Sequence, residues 1–176
     1  MEEKLELQDA EHTNASQNDK HTDWNSDHQM CCDHIENGQL IHMINEAFEV
    51  KPANIDAYSP LTLAYVGDSI FDLILKTVIV GRGNCAANKL HKKVTKWVNA
   101  QAQAEIADRI QEHLTEEETA VYRRGRNAKS YTTAKHATVI DYRKATGLEA
   151  LCGYLYLTSQ MDRLMELMTI MLGDQI

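Results

Sequence analysis

The sequence predicts an all-α protein, and three observations support this fold class. From about residue 41 onward, apolar residues recur at intervals of three and four positions, which is typical of amphipathic helices. The chain has 2 prolines, Pro52 and Pro60, and both lie near the start of this region. No segment alternates apolar and polar residues in the manner of a half-buried strand. The length of 176 residues suits one domain with an extension.

The individual helices are predicted from their caps and apolar faces. Ser59 and Pro60 match an N-cap followed by a first helical residue, and the run after them is apolar around most of its circumference, as in a buried central helix. Thr115, followed by three glutamates, resembles a capping box. Residues 125–130 are predicted to form a loop. The predicted helices cover 61–80, 85–99, 100–112, 115–124, 133–157 and 160–172.

The net charge of −8 is concentrated at one end of the chain. Residues 1–40 contain 10 acidic and 2 basic side chains, whereas residues 41–176 contain 16 of each. The first segment is polar and lacks a periodic apolar face, so it cannot bury enough surface to offset its ordering entropy. We therefore predict a disordered acidic tail over 1–42 and a neutral globular domain over 43–176. A neutral domain is compatible with a nucleic-acid partner, which the total charge would have disfavoured.

Composition excludes several other classes of protein. No window approaches the ~18 consecutive apolar residues of a membrane span, and the start of the chain lacks the features of a secretory signal. The 4 cysteines do not have the spacing of a disulfide framework or a zinc ribbon, so we expect reduced thiols in a cytoplasmic protein. The cysteines and histidines of the tail match no standard zinc pattern and are interpreted as incidental: His21, His28, Cys31, Cys32 and His34.

Two carboxylates occupy positions where the helical pattern favours apolar residues. Asp68 shares a stripe with Phe71 and Leu75, and Glu149 lies within the apolar helix predicted over 133–157. A buried carboxylate must be paired, hydrogen-bonded or bound to a metal, so spacing alone also allows two unrelated structural acids. Gly67 and Gly153 favour a site, because a glycine inside a helix commonly permits close approach of a second helix. Two such acids in one crevice suit Mg²⁺ and metal-assisted cleavage of a phosphodiester.

Basic residues concentrate between Arg82 and Lys144, where 13 cations face 7 acids. The lysines of the second helix could form an RNA contact or simply a solvated face. The cations around Gly125 indicate a phosphate-binding surface, because they would otherwise repel one another. Aromatic residues are not interleaved among them, which favours a duplex backbone over stacked single strands. The predicted RNA-binding residues are Arg123, Arg124, Arg126, Asn127, Lys129, Lys135 and Arg143.

Three separated motifs resemble one known family. The residues 63–69, LAYVGDS, resemble the signature helix of the ribonuclease III catalytic domain, and 146–157, TGLEALCGYLYL, resemble its second acidic motif. The segment 123–130, RRGRNAKS, is similar to the Mini-III subfamily, which has the catalytic domain and no double-stranded-RNA-binding domain. The resemblance covers about residues 45–173 and leaves the tail outside.

The resemblance implies an all-helical homodimer that cuts double-stranded RNA with Mg²⁺ and matures precursors of large-subunit (23S) ribosomal RNA, with a ribosomal protein as a possible presenter of the substrate. Asp68 and Glu149 match the family's catalytic and metal-binding acids. Two further family acids are replaced here by Ala64 and Thr146, so we expect weaker, more water-rich Mg²⁺ binding. We also expect packing around Gly67 to form the dimer interface.

Two other functions are compatible with parts of the sequence. One is a non-catalytic RNA-binding module of ribonuclease III-like fold that serves ribosome assembly, which would have no use for the two acids. The other is a helical metal hydrolase of nucleotides, which would leave the arginine-rich segment unexplained.

Overall fold

The computed structural model of the protein describes residues 39–51, 54–129 and 138–173. Every regular element in this part of the chain is helical, which confirms the all-α prediction. The α-helices are α1 (Gln39–Ala47), α2 (Pro60–Gly81), α3 (Ala87–Thr95), α4 (Ala100–Ile110), α5 (Glu116–Arg126), α6 (Val139–Leu157) and α7 (Met161–Leu172). Short 3₁₀ turns cover Ile55–Ala57 and Gln111–His113. None of the described helices is long and apolar enough to cross a membrane.

Helix α6 is the centre of the domain, and α2, α4 and α5 pack around it. Eleven of its 19 residues are buried, so α6 lacks the broad solvent-exposed face of an ordinary surface helix. The core combines α2 residues such as Phe71 and Leu75 with Leu148, Leu151 and Leu155 of α6. Helix α7 closes the core from another side with Leu164, Leu167, Met168 and Met171, all at most 1% exposed. The buried central pair of helices sets the position of every site residue described below.

The caps predicted from sequence are present. Ser59 accepts a hydrogen bond from the Thr62 N–H at 3.0 Å, and Pro60 opens α2. Thr115 and Glu118 form the predicted capping box, with the Thr115 N–H donating to Glu118 Oε2 at 2.8 Å. Because each cap satisfies backbone donors that the first helical turn leaves unpaired, these starts are fixed locally.

Several predicted helix boundaries were wrong, and the helix predicted over 85–99 covers only Ala87–Thr95. Helix α6 begins at Val139 instead of 133, because Thr138 has extended dihedrals and caps the helix by accepting from the Asp141 N–H at 3.1 Å. Helix α5 continues through Gly125 to Arg126, so the predicted loop starts at least two residues later. Helix α1 begins at Gln39, so residues 39–42 are helical and the predicted domain boundary falls inside a helix. The rest of the predicted tail, with its histidines and cysteines, lies outside the described residues.

A buried ion pair joins α5 to α7. Glu118 is 4% exposed, and Arg163 donates to its two carboxylate oxygens at 2.8 and 3.0 Å. Arg163 also donates to the His113 carbonyl at 2.6 Å and pairs with the exposed Glu166. The hydrogen bond from Arg163 lowers the pKa of Glu118 against the opposing effect of burial. Sequence reasoning had assigned Glu118 to the capping box alone and had missed Arg163.

Replacing Arg163 by methionine is expected to reduce the free energy of unfolding by about 3 to 5 kcal/mol at neutral pH, because the Glu118 carboxylate is left buried and unpaired. The pKa of Glu118 is lowered in the folded state. Its pairing therefore stabilises above the unfolded pKa and is lost as pH falls, so the difference between variant and wild type narrows in acid. Urea unfolding at several pH values measures this. Glu166→Gln, which removes only the exposed partner, should cost about 1 kcal/mol or less.

Candidate active site

Helices α2 and α6 cross with their backbones in contact. A methyl group built on Gly67 would lie 1.8 Å from the Glu149 carbonyl oxygen and 2.6 Å from the Gly153 nitrogen. On the other helix, a methyl group on Gly153 would lie 2.0 Å from the Leu63 carbonyl oxygen. Such distances leave no space for any side chain. The crossing predicted from these two glycines is therefore confirmed, and it lies within one subunit. The expectation that Gly67 forms a dimer interface was wrong, because α6 of the same chain covers this glycine.

The crossing brings Asp68 and Glu149 together. The pKa of Glu149 is raised to about 8, first by burial and then by repulsion from Asp68, while an interaction with the Gln103 side chain opposes the rise. The pKa of Asp68 is also raised, first by partial desolvation and then by Asp72, while Lys76 lowers it. Two neighbouring carboxylates whose charged forms are both disfavoured create a strong local preference for a cation.

The two carboxylates differ in exposure, which sequence reasoning did not anticipate. Asp68 lies on the exposed side of α2, and Glu149 is half-buried within the α6 packing. The prediction that both acids are buried on apolar faces is therefore wrong for Asp68. The face of α2 that points inward is set by Leu63, Gly67 and Phe71, and Asp68 lies beside this face at the rim of the crossing. Asp68 is open to a partner from solvent.

A third polar side chain reaches the same place from α4. Gln103 is 3% exposed, and its amide interacts with the Glu149 carboxylate. Nevertheless, Gln103 Nε2 has no hydrogen-bond partner of full geometry among the described residues. Gln103 lies on the same inward-facing side of α4 as Ala107 and Ile110, so the helical pattern of the sequence could have indicated that it is buried. A polar residue on that stripe is as unusual as the two carboxylates.

The positions that hold two further acids in the ribonuclease III pattern contribute nothing ionisable here. Ala64 is buried in the core. Thr146 is buried as well, and its hydroxyl donates to the Tyr142 carbonyl oxygen at 3.0 Å, one turn back along α6. No group of three or more His, Cys, Asp or Glu side chains that could hold a metal ion occurs among the described residues. The pair nevertheless fits Mg²⁺, which is commonly held by one or two carboxylates together with water and substrate phosphate.

The predicted basic surface occupies the last turn of α5 and the residues just after it. Arg123, Arg124 and Arg126 are exposed, as are Asn127 and Lys129. None of the described salt bridges includes these cations. Part of their role is structural, because positive charge at a helix C-terminus stabilises the helix dipole. The predicted phosphate-binding loop is thus largely helical.

Gly125 brings this basic end of α5 to the site. A methyl group on Gly125 would lie 2.6 Å from Ala150 Cβ and 3.0 Å from Gly147 Cα, so α5 and α6 touch closely. Gly147 and Ala150 flank Glu149 along α6. The exposed cations of α5 therefore project from a helix that crosses α6 at the level of the acidic residue.

The other predicted RNA-binding residues are distributed differently. Arg143 is exposed on α6, two helical turns before the Glu149 region. The neighbouring Lys144 is engaged with Asp108, with Nζ 2.6 Å from Oδ2. Lys135 lies outside the described residues. The lysines Lys89, Lys92, Lys93 and Lys96 are all exposed along one side of α3.

The chain was compared with known proteins. The family model of the ribonuclease III domain matches residues 61–160. A Mini-ribonuclease 3 of Clostridium tetani is 42% identical over 126 residues, which cover 71% of this chain and 83% of that protein. A Mini-ribonuclease 3 of Enterococcus faecalis is 50% identical over 109 residues, covering 61% and 83%. A crystal structure of a Fusobacterium nucleatum protein superposes with a TM-score of 0.63 at 30% identity, covering 69% of this chain and 93% of that one.

The matched segment contains the elements that build the site: α2 with Gly67 and Asp68, and α6 with Glu149 and Gly153. Similarity to the Mini-ribonuclease 3 proteins covers most of their length, so it concerns the whole catalytic domain. The chain therefore belongs to the ribonuclease III family, in its Mini-ribonuclease 3 group, and is an endoribonuclease.

Proposed function

We propose that the protein is a Mg²⁺-dependent endoribonuclease that cleaves double-stranded RNA, with Asp68 and Glu149 as its metal-binding and catalytic residues. The observation that carries this proposal is the crossing at Gly67, where two carboxylates of raised pKa adjoin each other and the basic end of α5 meets the same stretch of α6. The two acids repel each other and can hold a divalent metal ion, while the exposed arginines nearby can bind phosphate. This combination suits an RNA substrate whose phosphate meets the metal ion at the site.

Each side chain has a distinct task in this proposal. A bound divalent cation would activate water and stabilise charge on the phosphate. Glu149 must lose its proton to hold the cation, so the affinity for metal rises with pH through about 8. Asp68, at the exposed rim, is the carboxylate nearer to an incoming phosphate. Arg123, Arg124, Arg126, Asn127 and Lys129 hold the backbone of the duplex, together with Lys135 and Arg143.

Cleavage of labelled RNA tests this proposal directly. We expect the protein to cut a double-stranded RNA in the presence of Mg²⁺ and to leave it intact in EDTA. A single strand of the same sequence and free nucleotides should remain intact in both conditions. Binding of the duplex without cleavage at any metal concentration would instead identify a binding module and would contradict the proposal.

The substrate we propose is the precursor of large-subunit ribosomal RNA, which the protein would process in the cytoplasm. The support is the resemblance to Mini-III enzymes, and a ribosomal protein bound to the precursor would be the partner that presents the duplex. Mapping of the cut sites on a transcribed precursor, with and without added ribosomal proteins, tests this. Cuts at a few defined positions within double-stranded segments are expected, and random cutting would contradict this substrate.

We further propose that the enzyme acts as a homodimer through the exposed side of α2. Tyr65 is 80% exposed and Leu61 is 39% exposed, and they lie one turn apart next to Asp68. A large aromatic side chain so exposed on a rigid helix is typical of an interface. A symmetric contact here would join two Asp68 sites along one duplex.

The replacement Tyr65→Glu is expected to convert the dimer into a monomer, because it introduces a charge at the centre of the apolar surface. Light scattering after size-exclusion chromatography measures the mass of the particle. Met165→Glu, at an exposed apolar position of α7, is the matched control and should leave the dimer intact. A wild-type monomer at micromolar concentration, or an unchanged dimer of Tyr65→Glu, would contradict this interface.

A further inference from the structure

Gln103 is the one buried polar side chain of the described residues that contains an atom without a hydrogen-bond partner. It is 3% exposed and lies on the inward side of α4 beside the buried Ala107 and Ile110. Burial of an amide donor without a full hydrogen-bond partner carries a free-energy cost for folding. A leucine or methionine would fill the position without this cost, so packing does not explain a glutamine.

The surroundings of Gln103 indicate what it does. Its amide lies against the Glu149 carboxylate and favours the ionised form. Cys152, the other titratable neighbour of Glu149, is fully buried and supplies no positive charge. Thr146 is turned to the backbone of its own helix. The Gln103 amide is thus a buried, uncharged donor that reaches Glu149 from α4.

We propose that Gln103 is a positioning residue of the metal site, which orients the Glu149 carboxylate toward Asp68 and thereby raises the affinity of the pair for a divalent cation. This inference rests on the proposed function of the two acids. The physical reason is that an amide donor stabilises a carboxylate without adding the repulsion that a third acid would add. Gln103 thus compensates in part for the two family acids replaced by Ala64 and Thr146.

Metal titration without RNA tests the role of Gln103. Mn²⁺ serves as the probe, and its dissociation constant is measured by electron paramagnetic resonance between pH 6 and 9. We expect Gln103→Met, which preserves volume, to weaken Mn²⁺ binding by about tenfold near neutral pH, as is typical when a residue behind a metal ligand is removed. The pH at which binding reaches its midpoint should move upward, whereas the melting temperature of the metal-free protein should stay the same or rise, because a buried polar amide is replaced by an apolar side chain.

Matched variants separate the possible outcomes. Gln101→Leu changes an exposed glutamine two residues away on α4 and should leave Mn²⁺ binding unchanged. Gln103→Leu, which also lacks the amide but differs in shape, should repeat the loss and guards against a folding defect of Gln103→Met. If Glu149→Gln abolishes Mn²⁺ binding while both Gln103 variants bind as wild type, the role of Gln103 is refuted and the metal site stands. If Glu149→Gln binds Mn²⁺ normally, the proposed metal site itself is wrong.

Discussion

The replacement Gly67→Ala should unfold the protein or reduce its free energy of unfolding by more than about 4 kcal/mol, one of the largest effects expected of any single methyl group here. The added carbon would lie 1.8 Å from the Glu149 carbonyl oxygen, so α2 and α6 must separate. This contact is between two backbones, and neither partner can rotate away. Because the same crossing joins Asp68 to Glu149, any protein that still folds should also lose cleavage.

Gly81 provides the matched control for this experiment. It is the last residue of α2, and a methyl group there meets nothing within 4 Å. We expect Gly81→Ala to change stability by no more than about 1 kcal/mol, in the stabilising direction, because alanine has the higher helix propensity. Thermal and urea unfolding measure both variants. A Gly67→Ala protein with wild-type stability would show that the backbones are not in contact.

The replacement Glu149→Gln should abolish cleavage and at the same time stabilise the metal-free protein in alkaline solution. An amide of the same shape cannot replace the carboxylate as a ligand of a hard cation. In the metal-free protein, Glu149 is ionised only at a cost, since burial raises its pKa to about 8. We thus expect the same side chain to be required for activity and unfavourable for folding, a combination that is common at active sites.

The sign of the pH effect follows from proton binding. Between the ordinary pKa of glutamate and about 8, the folded state binds a proton that the unfolded state has released. The free energy of unfolding of metal-free wild type therefore falls as pH rises through this window, by an amount on the order of a few kcal/mol. Glu149→Gln should remove this slope, and Mg²⁺ should reduce it in wild type. The melting temperatures of metal-free wild type and Glu149→Gln are compared from pH 5 to 8. If wild type gains stability relative to the variant as the pH rises, this explanation is contradicted.

The sequence could predict those parts of the fold that depend on local chemistry. Ser59 and Pro60 define the start of α2 because a cap and a fixed φ act within one turn. Gly67 and Gly153 predicted the crossing because few other reasons exist for glycine inside a buried helix. The start of α6 is less evident from the sequence, because its cap, Thr138, stands in a segment without glycine or proline to mark a boundary.

The site was harder to predict, because it depends on which side of each helix faces a neighbour. Asp68 shares a stripe with core residues, yet it lies at the rim, and only the packing of α6 over Gly67 decides this. Gly125 was interpreted as a loop residue because it stands among cations, whereas its purpose is contact with Ala150. Gln103 gives only a weak signal in the sequence, because a glutamine on a helix is ordinarily exposed.

Single-turnover cleavage by Asp68→Asn tests the central claim most directly. The variant removes one carboxylate from the crossing and no cation from the RNA-binding surface. We expect the rate on a double-stranded RNA with Mg²⁺ to fall at least about a thousandfold, or about 4 kcal/mol in barrier height, while binding of the duplex without metal stays within about twofold of wild type. Glu105→Gln, which removes an exposed carboxylate from α4, should cleave at nearly the wild-type rate. An Asp68→Asn protein that cleaves as fast as wild type would show that the crossing of α2 and α6 is not the active site.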